Sequence, residues 1–428
     1  MTFIMKITNR LCRLLLLLDK SLRKKLQIKL SDFIFWIAFC LLLVIHCIEN
    51  TSLTQLDIAW LPAVYLIRYI LYLVLFFKIV MLSSYTTREV LAITIIFIIG
   101  CFNFLCTDDF GLFELFLVVT ASKGASITML ITVFAYIKGI GTFLTLFLYA
   151  IGILPTLHYL DDIVGAYNTY GFSHRNVLGA NMAILCMAWF YLRYKKLNQW
   201  DYLLWILLTA ATYKLALSRS ALILMIMILA SFFLYRLLEP YLTRNKKQFF
   251  YFRKFLIACF FILLVVSILC TIFYQSDSTF WSTINRIFTK RIQFANQCLN
   301  DHGLSVFGKD LPFISSMEAQ VSNKRKLILD NSYMRALLFY GIVPGSIYLY
   351  TCYCAIRNAV RRKQSALFLC LTLFFIYGFS ERYMLDINYN FPLLIACQSF
   401  FYKPRRGTPQ RRTTLLTFAY RFTARRLK

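Results

Sequence analysis

Apolar residues in this chain come in long unbroken runs rather than at alternate positions or on one helical stripe. Crossing a bilayer takes ~20 such residues as a helix. Twelve runs approach that length, at about 33–49, 58–81, 89–106, 109–122, 139–155, 176–193, 200–217, 220–236, 255–274, 331–356, 365–381 and 387–402. The fold class this pattern predicts is all-α: a polytopic integral membrane protein of about 12 transmembrane helices with one large extracytoplasmic loop. The chain then divides into a basic cytoplasmic N-terminal segment (1–30), spans one to nine (31–274), the large loop (275–330), spans ten to twelve (331–402) and a basic cytoplasmic tail (403–428). The fourth run is short, and 124–137 reads as an interfacial helix or part of a re-entrant segment.

Composition agrees with that picture. The chain is 60% hydrophobic and only 15% charged, against about 45–50% and about 25% in soluble domains. A net charge of +28 raises nucleic acid as a partner, but the distribution excludes it. The basic clusters "SLRKK", "RYKK", "TRNKKQFFYFRK", "RNAVRRK" and "KPRRGTPQRR" fall at alternate connections and at both ends. On this assignment about 34 Lys and Arg lie on one side and about 11 on the other, the positive-inside bias. The multi-pass protein is expected in the plasma (inner) membrane with both termini cytoplasmic. The outer connections hold the acids Glu49, Asp57, Asp108, Asp109, Asp161 and Asp162. The first 30 residues lack a small-residue cleavage site, so no cleavable signal peptide is expected. Most of the 13 cysteines sit in apolar runs, where cysteine acts as a small hydrophobe. Cys298 stands apart in the large loop, and Cys352 and Cys354 lack redox spacing. There is no Walker loop, HExxH pattern or metal-ligand cluster, and no cofactor or metal is expected.

The charges that break the apolar pattern are the candidates for chemistry. A stretch of about 37 apolar residues from Tyr202 to Leu238 is too long for one span and fits two. The chain must turn at "LSRS", which puts Arg219 at the outer tip of a hairpin and near the start of a helix. A guanidinium there can grip an anionic headgroup, since its planar fork suits phosphate oxygens and helix N-termini favour anions; plain snorkelling is the alternative. "YGFSHRNVLGANMA" repeats the arrangement with His174 and Arg175, where Asn176 is the expected cap and Gly179 and Ala180 permit close packing. In the large loop, "STINRIFTKRIQFANQCL" has helical spacing that groups Ile284, Ile287, Phe288, Arg291 and Ala295 on one face. Arg286, Lys290 and Gln297 lie elsewhere on that helix. A surface helix on lipid headgroups is the plainer reading. "ILDNSYMRALLFYGIVPG" opens span ten, with Asp330 and Asn331 at a capping position and Arg335 a turn inside. Asp330 is either a cap or a general base. "GFSERYMLDINYNF" adds Glu381, Arg382 and Asp386 at the last outer turn. Arg68 and Glu114 lie within spans two and four and are possible partners for each other. Several outward arginines on separate elements suit a diphosphate.

In order and spacing, "GFSHRNVLG", "LALSRSA", "KRIQFANQCL" followed by "SVFGKD", and "DNSYMRALLFYGIVPG" resemble the O-antigen polymerase and O-antigen ligase superfamily, the Wzy-type polysaccharide polymerases especially. The resemblance covers most of the chain. It implies an inverting, metal-independent glycosyltransferase on the outer face of the plasma membrane whose donor is an undecaprenyl-diphosphate-linked oligosaccharide. It implies that Arg219 and Arg291 hold the diphosphate, with Arg175 and Arg335 assisting and Arg286 and Arg382 as further substrate-binding candidates. The ligase branch has a histidine where this chain has Asp330, followed by a glycine at the spacing of Asn331 to Gly341. That departure speaks against a ligase and a histidine base and is compatible with a polymerase, with Asp330 as the base for the acceptor hydroxyl and His174 in reserve. Relatives often carry His-Pro-Asn where this chain has His174-Arg175-Asn176. The expected product is O-antigen or capsular polysaccharide, and the expected partners are the lipid-linked glycan, membrane lipid and a chain-length regulator protein. A ligase is the nearest rival. A lipid-linked oligosaccharide flippase is the rival from another class, although no internal repeat of the kind many transporters carry is visible. A structural partner in an assembly complex is a third.

Overall fold

A computed structural model describes residues 29–56, 58–161, 165–314, 327–362 and 364–396, with Leu15, Leu17, Asp19 and Ser21 before them. The C-terminal basic tail, the N-terminal basic segment apart from Lys29 and the four named residues, Asp57, Asp162, residues 315–326 of the large loop and the end of the twelfth run lie outside those residues. The chain is helical: α1 (Leu30–Glu49), α2 (Leu61–Phe77, continued by a wider turn to Leu82), α3 (Thr87–Thr107), α4 (Gly111–Ala121), α5 (Ile127–Ala150), α6 (Arg175–Arg193), α7 (Gln199–Ala216), α8 (Arg219–Arg244), α9 (Lys246–Ile272), α10 (Thr279–Ile287), α11 (Arg291–His302), α12 (Ser332–Leu338), α13 (Ile342–Arg361) and α14 (Ser365–Ser380), then two 3-10 turns at Arg382–Leu385 and Phe391–Ala396. Between α5 and α6 a small antiparallel hairpin, β1 (His158–Asp161) with β2 (Gly165–Asn168), pairs His158 opposite Asn168.

Seven of these helices are long and apolar enough to cross a membrane, namely α1, α2, α3, α5, α6, α8 and α9. Their outward faces carry Leu66, Leu73, Leu105 and Phe143, all largely exposed. Large apolar side chains contiguous on an outer surface belong against lipid, so the protein is a polytopic membrane protein. At the centre lies α14, buried along most of its length from Ala366 to Gly378. A helix apolar on all sides needs that position. It packs on α6, α8, α9 and α13.

Four expectations are corrected. First, α5 begins at Ile127, so 124–137 is mostly the first half of a spanning helix and neither interfacial nor re-entrant. Second, α4 has 11 residues, about 16 Å at 1.5 Å per residue, too short to cross alone. It is buried, and Lys78 donates to the carbonyl of Ala121 at its end. Third, the basic connection "TRNKKQFFYFRK" is helical almost throughout, because α8 runs to Arg244 and α9 starts at Lys246. Asn245 between them accepts from the Gln248 amide at 3.3 Å and caps α9.

The fourth concerns the tenth span. The expected helix over 331–356 is broken into α12 and α13 at Gly341, whose φ of 90° is closed to other residues. A side chain at Gly341 would strike the backbone of Phe307 and Gly308, and Gly308 itself has φ 102°. The amides of Ile342 and Val343 donate to the carbonyls of Ser305 and Val306 at 2.9 and 3.0 Å, and Lys309 N donates to Phe339 O at 3.1 Å. Asn103 donates to the carbonyls of Phe307 and Tyr340, 2.8 Å each. The loop segment "SVFGKD" therefore satisfies the backbone that the break exposes.

Candidate functional site

One end of the bundle holds a cavity of about 1300 Å³. Its walls gather turns and helix ends that are far apart in the chain: the end of α1, the start of α4, the starts of α6 and α8, the end of α9, the α10–α11 junction, residues 327–335 and the segment after α14. Of the candidate residues, His174, Arg175, Arg219, Arg291, Asp330, Arg335 and Arg382 all line it. Arg286 does not; it is exposed on α10, away from the cavity.

Three of the arginines share one local design. Arg175, Arg219 and Arg291 are each the first residue of a helix. The preceding turns explain why. Leu217 adopts φ 49° and ends α7, then Ser218 turns the chain into α8. Gly179 lets α6 approach that turn, since a Cβ there would sit 2.9 Å from Ala221 Cβ and 3.0 Å from Ser218 Cβ. Ahead of α11, Thr289 and Lys290 have φ of 49° and 64°, which breaks the continuous helix expected over this stretch into α10 and α11. Arg291 accordingly begins a helix rather than sitting mid-face. Gln297 and Cys298 are buried on α11 rather than at the surface, and burial pushes the Cys298 thiol up to about 11. Three helix N-termini, each led by a guanidinium, thus meet one cavity, an arrangement that favours an anion.

His174 has a structural task. Its Nδ1 accepts from the Asn176 amide at 3.1 Å and caps α6, so the cap is His174 and not Asn176. In that tautomer Nε2 carries the proton, which leaves no lone pair to act as a base. At the other motif the cap is Asn331, whose Oδ1 accepts from Tyr333 N and Met334 N at 3.0 and 3.1 Å. Asp330 is thereby released from capping, and its Oδ2 faces Arg291 Nε at 3.4 Å.

The residue at the middle of this wall is Glu381. Arg291 Nη2 reaches its Oε1 at 2.6 Å, and the Ser220 hydroxyl donates to the same oxygen. The Ser332 hydroxyl donates to its backbone carbonyl. Glu381 therefore ties together the starts of α8, α11 and α12. Burial pushes its carboxyl up, against the pull of Arg291. Burial also works against the Arg291 cation, but Glu381 and Asp330 more than offset it and hold the group charged. Arg335 is buried and makes no ion pair among the described residues; Phe313 and Phe339 lie against its guanidinium at 4.5 and 4.8 Å from their ring centres. Arg219 and Arg382 are exposed into the cavity.

The charges on the opposite wall are differently paired than expected. The ion pair of Arg68 is with Glu49, at 2.8 Å. Glu114 lines the cavity nearby. Sequence reasoning marked Glu381 and Asp386 only as charges of an outer turn and gave His46 no task. Their neighbours are 90 and 340 residues away, and periodicity carries no signal over such separations. Among the described residues no group of His, Cys, Asp or Glu is arranged to hold a metal. Compared with family models, curated proteins and solved structures, the chain matches none.

Proposed function

We propose that the protein is a polysaccharide polymerase that joins undecaprenyl-diphosphate-linked oligosaccharide repeat units into O-antigen or capsular polysaccharide on the outer face of the plasma membrane. The observation that carries this reading is the convergence of three arginine-led helix starts, with Arg335 and Arg382, on one cavity. A diphosphate leaving group gathers negative charge as its glycosidic bond breaks, and preorganised donors stabilise that charge best. Beside the arginines the wall is apolar, with Ile223, Leu224 and Met227 of α8 and Leu263 and Val266 of α9. A polyprenyl chain needs such a flank next to its headgroup.

In this reading the seven long helices cross the membrane together with α7, α13 and α14, and α4 is buried among them. Both termini are cytoplasmic. The end opposite the cavity carries Lys195, Lys196, Arg244, Lys247, Arg361 and Arg362, as the positive-inside rule requires of a cytoplasmic face. The described residues between α9 and α12 lie on the extracytoplasmic side. Asp330 takes the proton of the acceptor hydroxyl as its oxygen attacks the anomeric carbon. The bond to the diphosphate breaks, and the carrier leaves with the electron pair. His174, committed to its cap, is not needed for proton transfer.

A deletion strain tests the reading. It should accumulate lipid-linked single repeats, and Arg219→Ala should reproduce that state at normal protein abundance. Long chains retained on the carrier would point to a ligase instead. Normal polymer in the Arg219→Ala strain would refute the assignment.

A further inference from the structure

The cavity has two walls of opposite character, and only one of them suits a diphosphate. On the other side His46, near the end of α1, lies between two carboxylates. Its Nδ1 is 3.7 Å from Glu49 Oε2, and its Nε2 is 3.7 Å from Asp386 Oδ2. Both distances exceed a hydrogen bond. His46 Nε2 is buried and has no hydrogen-bond partner among the described residues. Asp386 is held in place through its other oxygen, which accepts from Asn388 N at 2.8 Å and Asn388 Nδ2 at 3.0 Å. Glu49 is held by Arg68. Tyr389 also lines the cavity; it is 2% exposed, and its hydroxyl has no partner among the described residues. Its ring packs on Tyr383 with centroids 4.4 Å apart and meets the His46 ring edge-on at 5.6 Å.

These groups do not fit an anion, because Arg68 is taken up by Glu49 and the further carboxylates Glu114 and Asp386 line the same side. They fit a neutral, hydroxyl-rich ligand. Two polar atoms 3.7 Å apart can share one hydroxyl that sits ~2.8 Å from each, donating to one and accepting from the other. His46 Nε2 and Asp386 Oδ2 have that separation, and Tyr389 Oη adds a further donor and acceptor. Fixed carboxylates bind hydroxyls strongly, and the packed Tyr383–Tyr389 pair backs the site.

We propose that His46, Asp386, Tyr383 and Tyr389, with Glu49 behind them, form the acceptor-glycan subsite of this cavity. The inference rests on the polymerase reading for the word acceptor, but its chemistry is a carbohydrate site separate from the arginine wall. Arg382, Asp330 and Asp386 all line the one cavity, so both sides open onto a common space.

The test uses the purified full chain in lipid nanodiscs and two probes. One is undecaprenyl diphosphate; the other is the carrier-free single-repeat oligosaccharide released from the lipid that the deletion strain accumulates. Tyr389→Phe, Asp386→Asn and His46→Gln should each weaken oligosaccharide binding about tenfold or more, the loss of a hydrogen bond to a charged or buried group. Their affinity for undecaprenyl diphosphate should stay at the wild-type value, which also shows that they are folded. Arg219→Ala should do the reverse. Wild-type oligosaccharide binding in all three wall variants, or no oligosaccharide binding by the wild type, overturns the subsite. Carrier binding that ignores Arg219 would instead overturn the polymerase reading. A variant that loses both ligands is replaced by Glu49→Gln, which must then show the selective loss for the proposal to stand.

Discussion

Removing Arg291 should damage the protein twice, and the two effects can be separated. The side chain is 14% exposed and lies between Glu381, 3% exposed, and Asp330, 25% exposed. Arg291→Ala leaves Glu381 buried beside Ser220 with no cation. Breaking a buried ion pair from one side costs about 3–5 kcal/mol, because the remaining charge stays desolvated. At about 1.4 kcal/mol per decade, that is roughly two to three and a half decades in the folded-to-unfolded ratio. Asp330 contributes little to the loss, since water reaches it. Replacing both partners, as in Arg291→Met with Glu381→Met, removes the stranded charge, and swaps of that kind are often neutral or stabilising. The assay is unfolding of purified protein in one detergent, run for wild type, each single variant and the pair, alongside polymer made in cells. The single Arg291→Ala variant should be strongly destabilised and scarce. The double variant should recover stability and abundance while making no polymer. Equal stability of the single and double variants would show that the pair is not what Arg291 holds in place. Polymer from the stable double variant would show that Arg291 is no ligand of the substrate.

Gly341→Ala should abolish folded protein, because it combines a disallowed φ, costing about 1–3 kcal/mol, with a clash against the Gly308 backbone; normal yield on size-exclusion chromatography would contradict the account of the α12–α13 break. His174→Asn should keep polymer synthesis, since asparagine caps helices well, whereas His174→Ala should lower stability by about 1 kcal/mol; loss of polymer in a stable Asn variant would restore His174 as a proton carrier. In a cysteine-free background, Ser276→Cys, exposed just after α9, should react with a membrane-impermeant thiol reagent applied to intact spheroplasts. Labelling only after lysis would invert the proposed orientation.

Much of the membrane architecture was legible because length and apolarity alone decide whether a helix can span. The hairpin at Arg219 was readable for the same reason: a stretch of that length had to turn, and Ser218 and Ser220 marked where. The broken tenth span was not. Its cause is the contact of Gly341 with Gly308, and nothing local to "FYGIVPG" distinguishes a strained glycine from one that aids helix packing. The split before Arg291 was hidden too, because Thr289 and Lys290 take positive φ without a glycine to announce it. Among the site residues, the arginines could be nominated one at a time as charges in the wrong place. Glu381 could not be given its task, since its role exists only in relation to Ser220, Arg291 and Ser332, which arrive from three other elements.

That central carboxylate changes which arginines can serve an anion. With all groups ionised, Arg291, Asp330 and Glu381 together carry a net negative charge, so this trio alone would repel a diphosphate. The attraction must come from Arg219, Arg382 and Arg335, which make no ion pair among the described residues, helped by the helix starts of α6 and α8. Arg291 then acts at closest range only if Glu381 gives up its charge. Burial already pushes the Glu381 carboxyl upward, and an arriving diphosphate, being negative, pushes it further. Protonation of Glu381 is thereby linked to anion binding: the bound state holds more protons than the free state, so affinity must rise as pH falls and weaken as pH climbs through the titration of Glu381. Glu381→Gln, which keeps the shape and lacks the charge, should bind undecaprenyl diphosphate with a flatter pH dependence than wild type. An unchanged slope in that variant would place the proton uptake elsewhere and leave Glu381 as scaffolding for three helix starts.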